Sequence, residues 1–317
     1  MVNATTLFTQ LIEIILAVIA APLLIGWVNQ CRAWLQNRRG AGMLQPYRSI
    51  RKLFHKDAVI AANASALFRL VPYIQFASMC LAAAIIPSLW TGLPFAVAAD
   101  TIALVGLFAT ARVFLALAAM DIGTAFGSMG ARREMLVGFL AEPALLMVFF
   151  TASLISHSTS FPTIVETLAS GRLAIYPSLA FAGVAFLMVL LAENARIPVD
   201  NPATHLELTM IHEATVLEYS ARHLALIEWS AALKLFNYAC IGLALFFPWG
   251  LATNTHNLLD LLLAIPITGL KLLIVGFGLA FIESINAKMR IFRAPEFLAT
   301  AFLLAVLGLL VHLLLGS

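Results

Sequence analysis

Polar positions in this chain fall into a few clusters, and the apolar stretches between them are too long for the strands or surface helices of a soluble domain. The stretches lie near 7–28, 70–90, 98–119, 135–156, 174–192, 224–249, 258–284 and 296–316. A helix crossing a bilayer needs about 20 mostly apolar residues, and its internal hydrogen bonds hide every backbone N–H and C=O from hydrocarbon. The pattern predicts an all-α, polytopic membrane protein of about eight spanning helices, forming a single membrane domain over 1–317. Polar connections at about 29–69, 120–134, 193–223 and 285–295 then share one side, and 91–97, 157–173 and 250–257 the other. The first run, Leu7 to Val28, follows no Lys/Arg-rich start and precedes a basic segment rather than a cleavage site, so a retained helix is expected there.

Composition agrees with the pattern. Of the 317 residues 62% are hydrophobic and 11% charged, against roughly 45–50% and about 25% in a soluble domain. Charge sets the orientation. The first group of loops holds fifteen Lys and Arg, eight of them between Arg32 and Arg69, and the second group holds only Arg172. That positive-inside bias predicts cytoplasmic polar loops and both termini facing outward. No repeat of helix hairpins is visible, which weighs against a repeat-built transporter.

Three cytoplasmic segments carry the chemistry. In 37–56, NRRGAGMLQPYRSIRKLFHK, Arg38 and Arg39 precede a glycine turn, and Ile50, Leu53 and Phe54 fall at helical spacing, which predicts a basic amphipathic helix on the membrane surface. In 120–134, MDIGTAFGSMGARRE, glycines interrupt the apolar pattern between Asp121 and the group Arg132, Arg133 and Glu134, which predicts a flexible loop. Glu142 lies eight residues after Glu134, within the next span and about two helical turns along the same face. The segment 192–220, AENARIPVDNPATHLELTMIHEATVLEYS, is the densest. It carries Glu193, Asp200, Glu207, Glu213 and Glu218 among Arg196, His205 and His212, with Leu206, Leu208, Met210 and Ile211 interspersed. A solvated loop has no need of those apolar residues, so a folded loop lining a cavity is expected. Carboxylates crowded and buried in this way raise one another's proton affinity and can pass protons near neutral pH.

Within the spans, Glu228, Lys234, Lys271 and Glu283, with Arg112, complete a series of ionisable groups that suits a hydrated proton relay, although helix-joining salt bridges give the same pattern. No metal site is expected: Cys31, Cys80 and Cys240 lie far apart, His205, Glu207, His212 and Glu213 lack the H-E-x-x-H spacing, and His312 is alone in its span.

At these segments the sequence resembles the proton-pumping complex I family, specifically its membrane subunit 1 (the H-type subunit), and the related subunits of membrane-bound nickel–iron hydrogenases. NRRGAGMLQPYRSIRKL is similar to R-R-G-P-G-x-x-Q-x-x-x-D-x-x-K-L, with Ala41 in place of proline and Ser49 in place of the acid. MDIGTAFGSMGARRE resembles L-D-T-G-S-P-F-x-x-x-G-A-S-R-E, AENARIPVDNPATHLEL resembles A-E-x-x-R-x-P-F-D-x-x-E-A-E-x-E-L, LEYS resembles the following E-Y-S, and ESINAKMRIFRAPEFL the approach to the last helix. Ala203 and His205 stand where the family commonly has glutamates, which points to the formate hydrogenlyase or hydrogenase-4 type.

The resemblance implies a non-catalytic membrane anchor and proton- or ion-coupling subunit of an energy-converting hydrogenase complex in a prokaryotic inner membrane. Its implied partners are a hydrogenase-like large subunit, iron–sulfur subunits and antiporter-like membrane subunits, with lipid around it and no nucleic acid. The NiFe centre and iron–sulfur clusters would sit in those partners, with no cofactor in this chain. The alternative is the H-type subunit of an NADH:quinone oxidoreductase, lending its loops to a quinone chamber. Glu142, Glu193, Asp200, Glu207, Glu213, Glu218, Glu228, Lys234, Lys271 and Glu283 are the coupling candidates. Arg38, Arg39, Asp121, Arg132, Arg133 and Arg196 are the candidates for electrostatic docking of the soluble arm.

Overall fold

A computed structural model describes residues 4–92, 100–170, 176–200, 210–252 and 258–315. Each apolar run becomes a helix: α1 (Ala4–Leu35), α3 (Ala66–Ile85), α4 (Thr101–Asp121), α5 (Ala125–Ser156), α7 (Pro177–Glu193), α9 (Ala221–Phe246), α10 (Leu258–Ile285) and α11 (Ala294–Leu315). Among the described residues, seven of these are long and apolar enough to cross a membrane. The eighth, α7, has 17 residues and lies at the short end of the spanning range. Shorter helices fill the connections: α2 (Gln45–Phe54), α6 (Phe161–Ser170) and α8 (His212–Val216).

Local chemistry sets the helix starts. Ser65, Asp100 and Thr124 cap α3, α4 and α5, each side chain accepting a backbone N–H two or three residues on. Pro46 sits in the first turn of α2, where its missing N–H costs nothing. On α2 Ile50 is buried while Arg48, Arg51 and Lys52 face outward, as the amphipathic pattern predicts.

One connection differs from expectation. The stretch 120–134 is not a flexible loop: the link between α4 and α5 is only Ile122–Thr124, with Gly123 at positive φ making the turn. Gly127 and Gly130 lie inside α5, where their lack of a side chain serves packing. A Cβ at Gly130 would fall 2.9 Å from backbone atoms of Ala214 and Thr215 in α8. Similarly, 157–173 contains α6, whose Phe161, Ile164 and Val165 are buried.

The helices pack as a bundle in which α3 lies against α4 and α9, α4 against α5, α11 against α5 and α7, and α1 against α9 and α10. The central helix is α9; 72% of its best spanning window is buried, against 22% for α10 and α11, which turn apolar faces such as Leu270, Ile274 and Phe277 outward. At the end bearing the short loops, Glu13 of α1 accepts from Ser88 N (2.7 Å), Ser88 Oγ (2.6 Å) and Leu89 N (2.9 Å) and pins the turn after α3. The opposite end carries the long polar segments and the candidate site.

Candidate functional site

The site grows from one arginine in an apolar helix. Arg112 lies nine residues before the end of α4, about 14 Å inside the bundle from its polar end, and its side chain is only 2% exposed. A guanidinium has five N–H donors in a fixed plane and stays charged, so its burial demands several acceptors. They come from two helices. Its Nη1 donates to Glu142 (2.5 Å) and its Nε faces Glu134 (3.7 Å), both on α5, and its Nη2 donates to Glu193 at the end of α7. Lys234 of α9 adds a second cation, 2.9 Å from Glu193. Three carboxylates and two cations from four helices thus share one buried group.

The backbone makes room for it. Gly138 lies on α5 between Glu134 and Glu142, and a Cβ there would collide with the Arg112 guanidinium and lie 2.7 Å from its Cδ. Pro143, directly after Glu142, is tolerated because neighbouring helices and side chains satisfy a freed backbone carbonyl in a membrane bundle. A cavity of about 70 Å³ adjoins the cluster, lined by Arg112, Glu134, Glu193 and Lys234 with Gln75 and Ser230.

A second charged group lies three residues along the chain. Arg196 is buried and donates to Glu283 of α10 at 3.0 Å; Glu283 also pairs with Arg32 of α1 at 3.4 Å. Asp200 pairs with Lys288 at 2.8 Å and accepts from the backbone N–H groups of Ile211 and His212. The segment after α7 is thereby tied to α1, α10 and α8. Next to it a larger cavity, about 370 Å³, opens between α1, α2 and α9, with Glu213 and Glu228 in its wall.

The coupling candidates therefore separate by location. Glu142, Glu193 and Lys234 meet at Arg112; Asp200 and Glu283 belong to the second group; Glu213 and Glu228 line the larger cavity. Glu218 is exposed. Lys271 lies elsewhere, donating to the carbonyls of Phe247 and Trp249 beyond the far end of α9. Glu207, with Ala203 and His205, lies outside the described residues.

Of the docking candidates, Arg38, Arg39 and Arg132 are exposed. Arg133 donates to Met210 O (2.6 Å), and Asp121 accepts from Ser65 N (2.9 Å) at the start of α3, so both also hold the subunit's own elements together. Arg196 is turned inward.

Sequence reasoning missed Glu134 and Lys288 as partners, and it gave Arg112 no special place. The signal was present in one case, the eight-residue spacing of Glu134 and Glu142. It also missed Tyr219, which stacks on Phe68 (centroids 3.9 Å apart) and donates to Phe68 O (3.0 Å), joining the end of the 193–220 segment to α3. Burial, and after it the nearby Asp121 charge, push this phenol well above its ordinary range, which keeps it a donor.

The family model described as NADH dehydrogenase matches residues 8–314. The chain belongs to that family. Its relatives include hydrogenase-4 component C of Escherichia coli (strain K12), 34% identical over 94% of this chain and 93% of the relative, and formate hydrogenlyase subunit 4 of the same strain, 33% identical over 94% and 96%. The H-type subunit of the NADH-quinone oxidoreductase of Rickettsia bellii (strain RML369-C) is 27% identical over a shorter stretch, 61% of this chain and 58% of that one. A chain in the structure of the membrane-bound sulfane sulfur reductase, an archaeal respiratory membrane complex, superposes with a TM-score of 0.81 over 96% of this chain and 98% of its own. At 19% identity that match establishes a shared fold. The family membership agrees with the resemblance read from the polar segments. The full-length matches to the hydrogenase-4 and formate hydrogenlyase subunits agree with the branch indicated at Ala203 and His205.

Proposed function

We propose that this chain is the non-catalytic membrane anchor and coupling subunit of an energy-converting hydrogenase complex of the formate hydrogenlyase or hydrogenase-4 type. The observation that carries the reading is the Arg112 group. Burying charges in a membrane bundle is costly, and such charges mark ion or proton paths more than they strengthen a fold. Three carboxylates around one fixed guanidinium, with Lys234 able to lean on Glu193, can take up or give up a proton at a carboxylate while the surrounding charges hold the site together. A redox event in a soluble arm docked on the polar end would bias that proton occupancy, and neighbouring antiporter-like subunits would carry the change onward.

Partners of this kind are a hydrogenase-like large subunit, iron–sulfur subunits and the antiporter-like membrane subunits. The NiFe centre and clusters would belong to them; the three cysteines here are free, and among the described residues no three His, Cys, Asp or Glu side chains are grouped to hold a metal ion. The location is the inner membrane of a prokaryote, with the polar loops in the cytoplasm and both termini outside.

The test is Glu193→Gln and Glu142→Gln in the purified complex reconstituted in vesicles. Assembly should survive while ion movement per turnover falls; unchanged ion movement in the single and double variants would overturn the reading. One observation favours a second reading, the H-type subunit of a quinone-reducing complex: the 370 Å³ cavity is large enough to admit a ring-sized ligand. Inhibition of the complex by quinone-site inhibitors would select it.

A further inference from the structure

The two cavities at the polar end share a wall. Asn194, Ala195, His212, Ile227 and Ala231 line both the 70 Å³ cavity beside Arg112 and the 370 Å³ cavity between α1, α2 and α9. The small cavity exceeds the roughly 30 Å³ share of one water, and the large one exceeds it about tenfold. The inner lining also calls for water. Arg112 Nε, Glu193 Oε1 and Asn194 Oδ1 are buried with no hydrogen-bond partner among the described residues, and ordered water is the partner such atoms take in native proteins.

His212 occupies the shared wall in a particular way. Its backbone is held at both ends: the N–H donates to Asp200 Oδ2 (3.2 Å) and the carbonyl accepts from Thr215 Oγ1 (2.7 Å). No hydrogen bond joins its ring to a described residue, and the residue is half-buried where it lines both cavities. A fixed backbone with an uncommitted imidazole in a wall shared by two cavities suits a proton shuttle, because the ring can accept a proton at one nitrogen and release one from the other.

We propose that the two cavities form one water column, and that His212 passes protons along it between the outer wall, at Glu213 and Glu228, and the buried Arg112–Glu193–Lys234 group. The step balances as a transfer. A proton from outer-cavity water binds one ring nitrogen, the proton on the other nitrogen leaves to inner-cavity water, and that water delivers a proton to a cluster carboxylate. The cycle closes when the ring turns about its Cβ–Cγ bond, which brings the protonated nitrogen to the inner side without carrying a proton back. This inference deepens the coupling reading and rests on it.

The experiment uses the whole complex in vesicles with an internal pH dye, comparing His212→Asn, His212→Gly with and without added imidazole, and Glu193→Gln. His212→Asn keeps polarity and approximate size but carries no proton near neutral pH, so coupled turnover should fall by on the order of tenfold to a hundredfold with all subunits retained. Imidazole should restore much of the loss in His212→Gly. A wild-type rate in His212→Asn, or a loss that imidazole leaves untouched in an assembled complex, would overturn the shuttle. Should both variants fail to assemble, Ala231→Cys in a chain whose native cysteines are alanine decides. Modification from the cytoplasmic side by a membrane-impermeant methanethiosulfonate supports the column, and resistance to it overturns the column. A Glu193→Gln complex with normal ion movement would sink the coupling reading itself. A slow Glu193→Gln beside a normal His212→Asn removes only the shuttle.

Discussion

Arg112 has no substitute within its own surroundings. Removing one member of a buried ion pair leaves an uncompensated charge and costs about 3–5 kcal/mol, and here one guanidinium answers Glu134, Glu142 and Glu193 together. Arg112→Leu should therefore lower the yield of inserted subunit. Arg112→Lys should allow assembly but lower coupling, because an ammonium is a point donor that does not reproduce a planar fork. Ion movement per turnover, measured beside complex yield, separates the two effects. Gly138→Ala tests the same point without altering charge. The new methyl group would need the space of the guanidinium, whose three carboxylates prevent it from swinging aside, so the variant should resemble Arg112→Lys; full coupling in Gly138→Ala would show that the group tolerates displacement. The convergence of these residues on Arg112 was not visible along the chain. A lone arginine in an apolar run reads as a side chain reaching for the membrane surface, and only the packing of α4 and α7 on α5 brings its partners within reach. The carboxylates were more legible, since charge inside a span is unusual whatever its neighbours.

The elements sort by which kind of energy defines them. Hydropathy located every helix from α1 to α11 that is long, because burial of apolar surface in lipid or protein depends on side-chain character alone and the run length reports it. Shorter pieces escaped. α6 is ten residues in a segment read as loop, and the first turns of α5 looked like a glycine linker because Gly127 and Gly130 signal a turn in sequence and close packing in three dimensions. Lys271 shows the opposite case, a charge legible in its own span whose partners lie after another. It lies on α10 but donates to the carbonyls of Phe247 and Trp249 after α9, and so fastens the far end of α9 to α10. Hydrogen bonds from a charged donor contribute about 2 kcal/mol, so Lys271→Met should lower the thermal stability of the purified subunit while leaving ion movement per turnover unchanged. A large coupling loss at normal stability would instead return Lys271 to the relay.

At the scale of the molecule, the distribution of charge separates what holds this chain together from what it offers to a partner. Arg32, Arg196, Lys288 and Lys234 are spent on internal carboxylates, whereas Arg38, Arg39 and Arg132 are exposed at the polar end together with the cationic face of α2. If that end is cytoplasmic, cysteines placed in 157–173 should label from outside intact cells and those in 37–56 should not. Under the proposed function, these exposed arginines are where an acidic surface on a soluble arm would bind. Exposed charges steer and register a partner, and their effect falls with salt because the screening length is only about 8 Å at physiological ionic strength. Reversing Arg38, Arg39 and Arg132 to glutamate together should therefore release the arm during purification, most readily at raised salt, while the membrane subunit stays inserted with its melting behaviour intact. Arg196→Glu should act differently. It sets two carboxylates against each other beside Glu283, loosens α10 from the segment after α7, and lowers the stability of the membrane subunit at any salt concentration. Co-purification of the arm, scored against salt for the two variants, checks both halves: an arm retained by the triple reversal would place docking on the apolar or backbone groups of the polar end, and a stable Arg196→Glu subunit that sheds its arm would make Arg196 a docking residue after all.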